Sequence, residues 1–178
     1  IYGCLVGSEM CIRDSCIVYR NSRSQLDQMK RDFREITQES VSFVSYNMDA
    51  FQPEKRKELI EGLKKELDGG KIKVLVHSVA KGNLKPMVSN SVQVLQTDDF
   101  QLTIQAMGIS LYDWVKAVFE AKLFSNDSRV VSFTSEGNSK ALRNYAAVSA
   151  AKVTLEAITR NIALELSLIH ISEPTRQP

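Results

Sequence analysis

Four short apolar runs, each ended by polar or turn-forming residues and separated by stretches of helical period, restrict this chain to few folds. The runs are CIVY at 16–19, VSFVSY at 41–46, KVLV at 73–76 and VVSF at 130–133. Arg20, Asn21 and Ser22 end the first, Asn47 to Ala50 the second, His77 to Ala80 the third, and Gly137 and Asn138 close the fourth. Apolar residues between the runs recur three and four apart, as on one face of a helix. Leu26, Met29, Phe33 and Ile36 form one such set, and Leu59, Ile60, Leu63 and Leu67 another. Pro53 suits the first turn of the second helix, and Gly69 and Gly70 suit its end. After a polar loop over 81–97, a long helix is expected from Asp98 to Leu123. Its apolar side carries Phe100, Ile104, Met107, Leu111, Trp114, Val115, Val118 and Phe119. A last helix carries Val148, Ala151, Leu155, Ile158 and Ile162, with Lys152, Glu156, Arg160 and Glu165 between them. Strand and helix in strict alternation predict an α/β fold with a doubly wound parallel sheet.

Composition narrows the partners. With 43% hydrophobic and 25% charged residues and a net charge of +2, nothing calls for a nucleic acid or a membrane. No stretch approaches the roughly 18 apolar residues of a membrane span. One domain suits a length of 178 residues.

The two ends read differently from the body. LVGSEMCIRDS at 5–15 and LSLIHISEPTR at 166–176 can be encoded by one DNA segment read on its opposite strands, a relation that two pieces of a protein have no reason to satisfy. The expectation is that 1–15 and 166–178 are adapter-derived rather than native, and that 16–165 are part of one domain. A signal peptide is disfavoured because no basic region precedes the apolar residues and Glu9, Arg13 and Asp14 interrupt them. Of the three cysteines only Cys16 then belongs to the body, which suits a reducing compartment such as the cytoplasm. His77 is the one histidine left, so no metal site is expected.

Open α/β sheets bind ligands at the carboxyl ends of their strands. Arg20 and Arg23 follow the first strand, where a guanidinium fork suits a phosphate and where a solvated arginine at a helix start is equally ordinary. Asp49 follows the second and can accept from a ligand or cap a turn. His77 follows the third, and a lone buried histidine is more often a core residue than a catalyst. Beyond the fourth, Tyr145 and Lys152 lie two turns apart on nearly one face of a helix, where a phenol and an ammonium can share a ligand.

The stretch Val130–Leu164 resembles the active-site segment of the short-chain dehydrogenase/reductase family, specifically its enoyl-acyl-carrier-protein-reductase-like branch, in which six residues separate tyrosine from lysine. The wider family places the tyrosine four before the lysine, where this chain has Val148. Ser135 stands seventeen before Lys152, the offset of the wider family's serine; typical enoyl reductases carry a second tyrosine there. HSVA at 77–80 resembles the HSIA-type segment beneath the cofactor in that branch, and the similarity runs in order along 16–165.

That resemblance implies a Rossmann-like doubly wound parallel sheet, truncated: the first strand with its glycine-rich turn and the C-terminal part are missing. None of the eight glycines forms GxGxxG or GxxxGxG. It further implies, for a full-length protein, an NAD(P)H-dependent reductase of an enoyl thioester or a related carbonyl compound, as in fatty acid biosynthesis, with the chain as given inactive. Tyr145 is then the proton donor, Lys152 lowers its pKa and binds the nicotinamide ribose, and Ser135 orients the substrate oxygen. Arg20 and Arg23 accept the extra phosphate, which favours NADP (NADPH) over NAD. Asp49 and the Ala50 amide hold adenine, and Ser78 and Val79 lie against the nicotinamide ribose and adenosine. Gln105 aligns with the asparagine that holds a proton-relay water. The implied partners are a small-molecule or acyl-thioester substrate and further copies of the chain, as a tetramer with Tyr112, Trp114 and Phe119 as anchors. Two other functions stay open: a carbonyl reductase of unknown substrate, which Ser135 favours, and an inactive cofactor-binding or regulatory subunit of the same fold.

In the family's strand order the missing strand lies between the strands at Cys16 and Lys73. The expectation there is a gap, or an irregular, antiparallel insertion of the apolar YGCLV at 2–6. A parallel crossover needs about a dozen residues or more, and too few separate Val6 from Cys16.

Overall fold

In the computed structural model the described residues are 2–4, 15–20, 28, 31, 43–90 and 93–170, with backbone alone at 2–4, 43 and 168–170. The predicted helix over Leu26–Ile36 and the position of Arg23 lie outside them, except that Gln28 and Arg31 are helical. The chain divides into two compact units. One takes the described residues up to Val79 together with Trp114–Phe133; the other takes Ala80–Asp113 and the described residues from Thr134 onward.

The first unit holds the five strands found among the described residues. β2 (Ser15–Tyr19) and β3 (Phe43–Asn47) pair in parallel, with Tyr19 opposite Asn47. β1 (Tyr2–Cys4) pairs antiparallel with β2, with Cys4 opposite Cys16. β4 (Ile72–His77) and β5 (Phe124–Ser132) form a separate parallel pair. β1 lies beside β4 without forming a ladder with it. The sheet centre therefore carries the expected irregularity: a short antiparallel insertion on one side and a break on the other. Helix α1 (Pro53–Glu66) has proline in its first turn, buries Leu59, Ile60 and Leu63, and gives way to Asp68 and Gly69 at positive φ.

Two expectations about this unit need correction. The fourth strand begins at Phe124, within residues whose polarity reads as a loop, and it is not buried. Val131 is 41% exposed and Phe133, beyond the strand, 54%. Among the described residues β5 has β4 as its one ladder partner, which makes it an edge strand there. Trp114 is 8% exposed with the Arg56 guanidinium 5.9 Å from its ring, so it is part of this unit's core.

In the second unit α2 (Thr97–Ile104), a π-helical turn (Gln105–Ile109) and α3 (Ser110–Glu120) follow one another where one helix was predicted; α3 continues into the first unit. The backbone N–H of Ser110 reaches back to the Gln105 carbonyl, the five-residue span of a π turn. One inserted residue rotates the apolar stripe by about 100°. Leu111 and Val118 remain fully buried, whereas Phe119 is 38% exposed. The last helix, α4 (Ala146–His170), packs on α2, on the π turn and on the short 3₁₀ turn Glu136–Asn138. Val148, Ala151 and Leu155 are buried, as the period predicts.

Candidate functional site

The start of α4 gathers the reactive side chains of the second unit. Asn144 takes a positive φ of 60°, which asparagine tolerates, and turns the chain into the helix. The Tyr145 carbonyl then accepts the first helical bond, from Ser149 N at 2.8 Å. The phenol ring lies directly on Gly137. A Cβ there would stand 2.6 Å from Cδ1 and 2.7 Å from Cε1 of Tyr145, and 2.9 Å from Ser149 Oγ, so hydrogen alone fits. Gly137 thus has a second role beyond the turn that its sequence position suggests.

Seven residues on, Lys152 is 7% exposed, and burial lowers its pKa from the ordinary lysine value by disfavouring the charged form. Ser135 is extended and its carbonyl accepts the Asn138 N–H at 3.2 Å, which starts the 3₁₀ turn. The Ser135 Oγ is enclosed and has no hydrogen-bond partner among the described residues. An enclosed hydroxyl without a partner is costly. It is the feature of this cluster that suits a substrate oxygen.

Glu156, one turn beyond Lys152, escapes a reading of the sequence because its helical position looks solvated. Its Oε1 accepts from Thr134 Oγ1 at 2.5 Å and from Asn138 Nδ2. Those two bonds hold its carboxyl below the usual glutamate pKa, with Arg160 adding to the effect and desolvation opposing it. Gln105, which the family resemblance sets at the place of the relay asparagine, is exposed in the π turn.

The first unit holds a second cluster, where β2 and β3 end side by side. Arg20 Nη1 meets Asp49 Oδ2 at 2.6 Å, and Asp49 Oδ1 accepts the Phe51 N–H at 3.1 Å. Asp49 is thus an ion-pair partner as well as the turn cap that its sequence position allows. A carboxylate offers about four acceptor positions, so room for a further donor remains. Ala50 is buried, and its carbonyl accepts from Arg56 at 3.5 Å. A concavity of about 510 Å³ beside them is lined by Tyr46, Asn47, Met48, Asp49 and Lys55 among others. Ser78, half-buried, and Val79, buried, follow β4. No group of three or more His, Cys, Asp or Glu suited to a metal occurs among the described residues. Nor is any described helix long and apolar enough to cross a membrane.

Two parallel strand pairs and the described helices between successive strands, with strand ends that carry Arg20, Asp49 and Ser78, define a Rossmann-like α/β fold. The profile of the enoyl-(acyl carrier protein) reductase family matches residues 16–171, and the chain belongs to the short-chain dehydrogenase/reductase family in that reductase-like branch. Among solved structures, an enoyl-acyl carrier protein reductase of Bacillus cereus, bound to NADP+ and indole naphthyridinone, superposes with a TM-score of 0.71 at 22% identity, over 86% of this chain and 56% of that one. An enoyl-(acyl-carrier-protein) reductase of Anaplasma phagocytophilum in complex with NAD gives 0.70 at 16%, over 85% and 55%. An NAD+-bound xylitol dehydrogenase gives 0.67 at 24%, over 85% and 55%. The chain therefore spans little more than half the length of these proteins.

Proposed function

We propose that the full-length protein carrying residues 16–165 is a nicotinamide-dependent reductase of an enoyl thioester or a related carbonyl compound. The observation that supports it most is the pairing, on the first turns of one helix, of a phenol seated on Gly137 with a lysine that is nearly fully buried. The nicotinamide cofactor supplies hydride when bound. The reduced substrate then carries negative charge on an oxygen, and Tyr145 Oη donates a proton to it. Lys152, held in a site of low polarity, acts on that phenol more strongly than it would in water, favours the phenolate that remains, and has donors for the ribose hydroxyls. The enclosed Ser135 Oγ orients the same substrate oxygen. Arg20 and Asp49 are assigned to the adenosine half of the cofactor, together with the Ala50 amide, Ser78 and Val79.

Ser135 also supports a second reading, a carbonyl reductase, since a short hydroxyl holds a carbonyl oxygen without occupying the space of a second tyrosine. Parallel assays of full-length protein with an enoyl thioester and with simple ketones separate the two. Tyr145→Phe is expected to lower turnover by about two orders of magnitude or more, with cofactor affinity nearly unchanged, because the proton donor alone is lost. Lys152→Ala is expected to damage both. Normal turnover by the phenylalanine variant would show that Tyr145 is not the acid. We further propose that the protein assembles as a homo-oligomer, for which Tyr112 and Phe119 offer exposed aromatic surface.

A further inference from the structure

The loop 134–138 bears both Ser135, the enclosed hydroxyl, and Gly137, the seat of the Tyr145 ring. Backbone bonds hold it internally, from Asn138 N to Ser135 O and from Ser139 N and Lys140 N to Glu136 O. Those bonds shape the turn without fixing it to α4. Two side-chain bonds fasten it to the helix, one from each end of the loop. Thr134 Oγ1 and Asn138 Nδ2 converge on a single atom, Glu156 Oε1. Glu156 is four residues after Lys152 and eleven after Tyr145, which caps the start of α4, so one helix holds the anchor point and the reactive groups.

We propose that Glu156 is a positioning residue of the reductase site: it clamps the Thr134–Asn138 loop to α4 and thereby sets Ser135 and Gly137 against Tyr145. The catalytic part of this inference rests on the reductase reading; the clamp itself does not. A carboxylate suits the task because one of its oxygens has lone pairs for two donors. The task needs an acceptor at this place rather than a charge, which sets it apart from an electrostatic effect on the neighbouring Lys152.

The test compares Glu156→Gln, which keeps an acceptor oxygen, with Glu156→Ala, which removes it. Amide hydrogen exchange on the whole 178-residue chain is read over the peptides covering 135–140 and 147–155. Glu156→Ala is expected to speed exchange of the loop amides by about tenfold, the factor that loss of two hydrogen bonds of ordinary strength corresponds to, with helix amides unchanged. Glu156→Gln is expected to restore the loop. Should Glu156→Ala loosen the helix as well, Thr134→Val with Asn138→Ala, which leaves the helix sequence intact, carries the same expectation. Loop amides that exchange at the wild-type rate in Glu156→Ala or in the double variant, or equally fast in Gln and Ala, would overturn the clamp. Unprotected loop amides in the wild type would do the same. In full-length protein the inference further expects Glu156→Ala to lower kcat about tenfold with cofactor KM unchanged and Glu156→Gln to recover it. Absence of turnover in the wild type would overturn the reductase reading and leave the exchange result to judge the clamp.

Discussion

Arg20 and Asp49 are 29 residues apart in sequence, yet the parallel register that sets Tyr19 opposite Asn47 brings their side chains to one strand-end ledge. Arg20 is exposed there, and an ion pair in such a position contributes at most about 1 kcal/mol. A phosphate that offers bidentate bonds can therefore compete with Asp49 for the guanidinium. From this follows a cofactor preference. Removing the charges of Arg20 and Arg23 together should weaken NADPH binding to full-length protein by about ten- to a hundredfold and leave NADH nearly unaffected, as read by fluorescence titration. Equal loss for both cofactors would show that these arginines do not read the phosphate. Of this cluster the sequence revealed the members, because strand ends are where such residues matter, but not the pairing, which depends on register between two strands. The same holds at the other cluster. Tyr145 and Lys152 were legible from spacing on one helix. The clamp on Glu156 was not, since Thr134 and Asn138 look like ordinary loop residues until the loop folds back.

Helices and strands were legible wherever a single period ran through a whole element, as in α1 and the first half of α4. The π turn was hidden because it answers to tertiary contact rather than to period. Gly108 within it approaches α4 so closely that a Cβ would stand 3.1 Å from the Ala151 carbonyl oxygen and 3.1 Å from Thr154 Cγ2. Gly82 approaches one turn earlier, where a Cβ would meet Thr103 Cγ2 at 2.7 Å and Val148 Cγ2 at 3.0 Å. With Gly137 against Tyr145, three glycines meet successive turns of the helix that carries Tyr145 and Lys152. A pair of substitutions isolates the effect. Gly62 lies inside α1 with nothing within 4 Å, so Gly62→Ala should stabilise by about 0.5 to 1 kcal/mol through helix propensity alone. Gly108→Ala gains the same propensity but must push on a backbone carbonyl, where overpacking costs about 1 to 3 kcal/mol. Its expected net effect is a destabilisation of about 1 kcal/mol in urea melts. A Gly108→Ala chain as stable as Gly62→Ala would mean that the close helix crossing is not under tension at this glycine.

For the whole molecule the decisive feature lies at the seam between β1 and β4, inside the first unit. β1 offers three residues to β2 in antiparallel register, and among the described residues neither β1 nor β4 has a ladder across the seam. Two strand edges therefore face each other with backbone donors and acceptors unmatched by a ladder, and unpaired edges invite pairing with another chain. The same place is where dinucleotide-binding members of this fold turn from strand to helix through closely spaced glycines, letting backbone amides approach the pyrophosphate. β1 runs the other way there, and its Gly3 belongs to no such run of glycines. Two outcomes follow for the 178-residue chain. Sedimentation should show concentration-dependent self-association through the seam, and titration with NADPH should give a dissociation constant weaker than about 1 mM, because the antiparallel β1 brings no run of closely spaced glycines to the pyrophosphate. Trp114, buried in the same unit, provides the fluorescence signal. A monomer that melts cooperatively and binds NADPH at micromolar concentration would show instead that the antiparallel insertion completes the sheet.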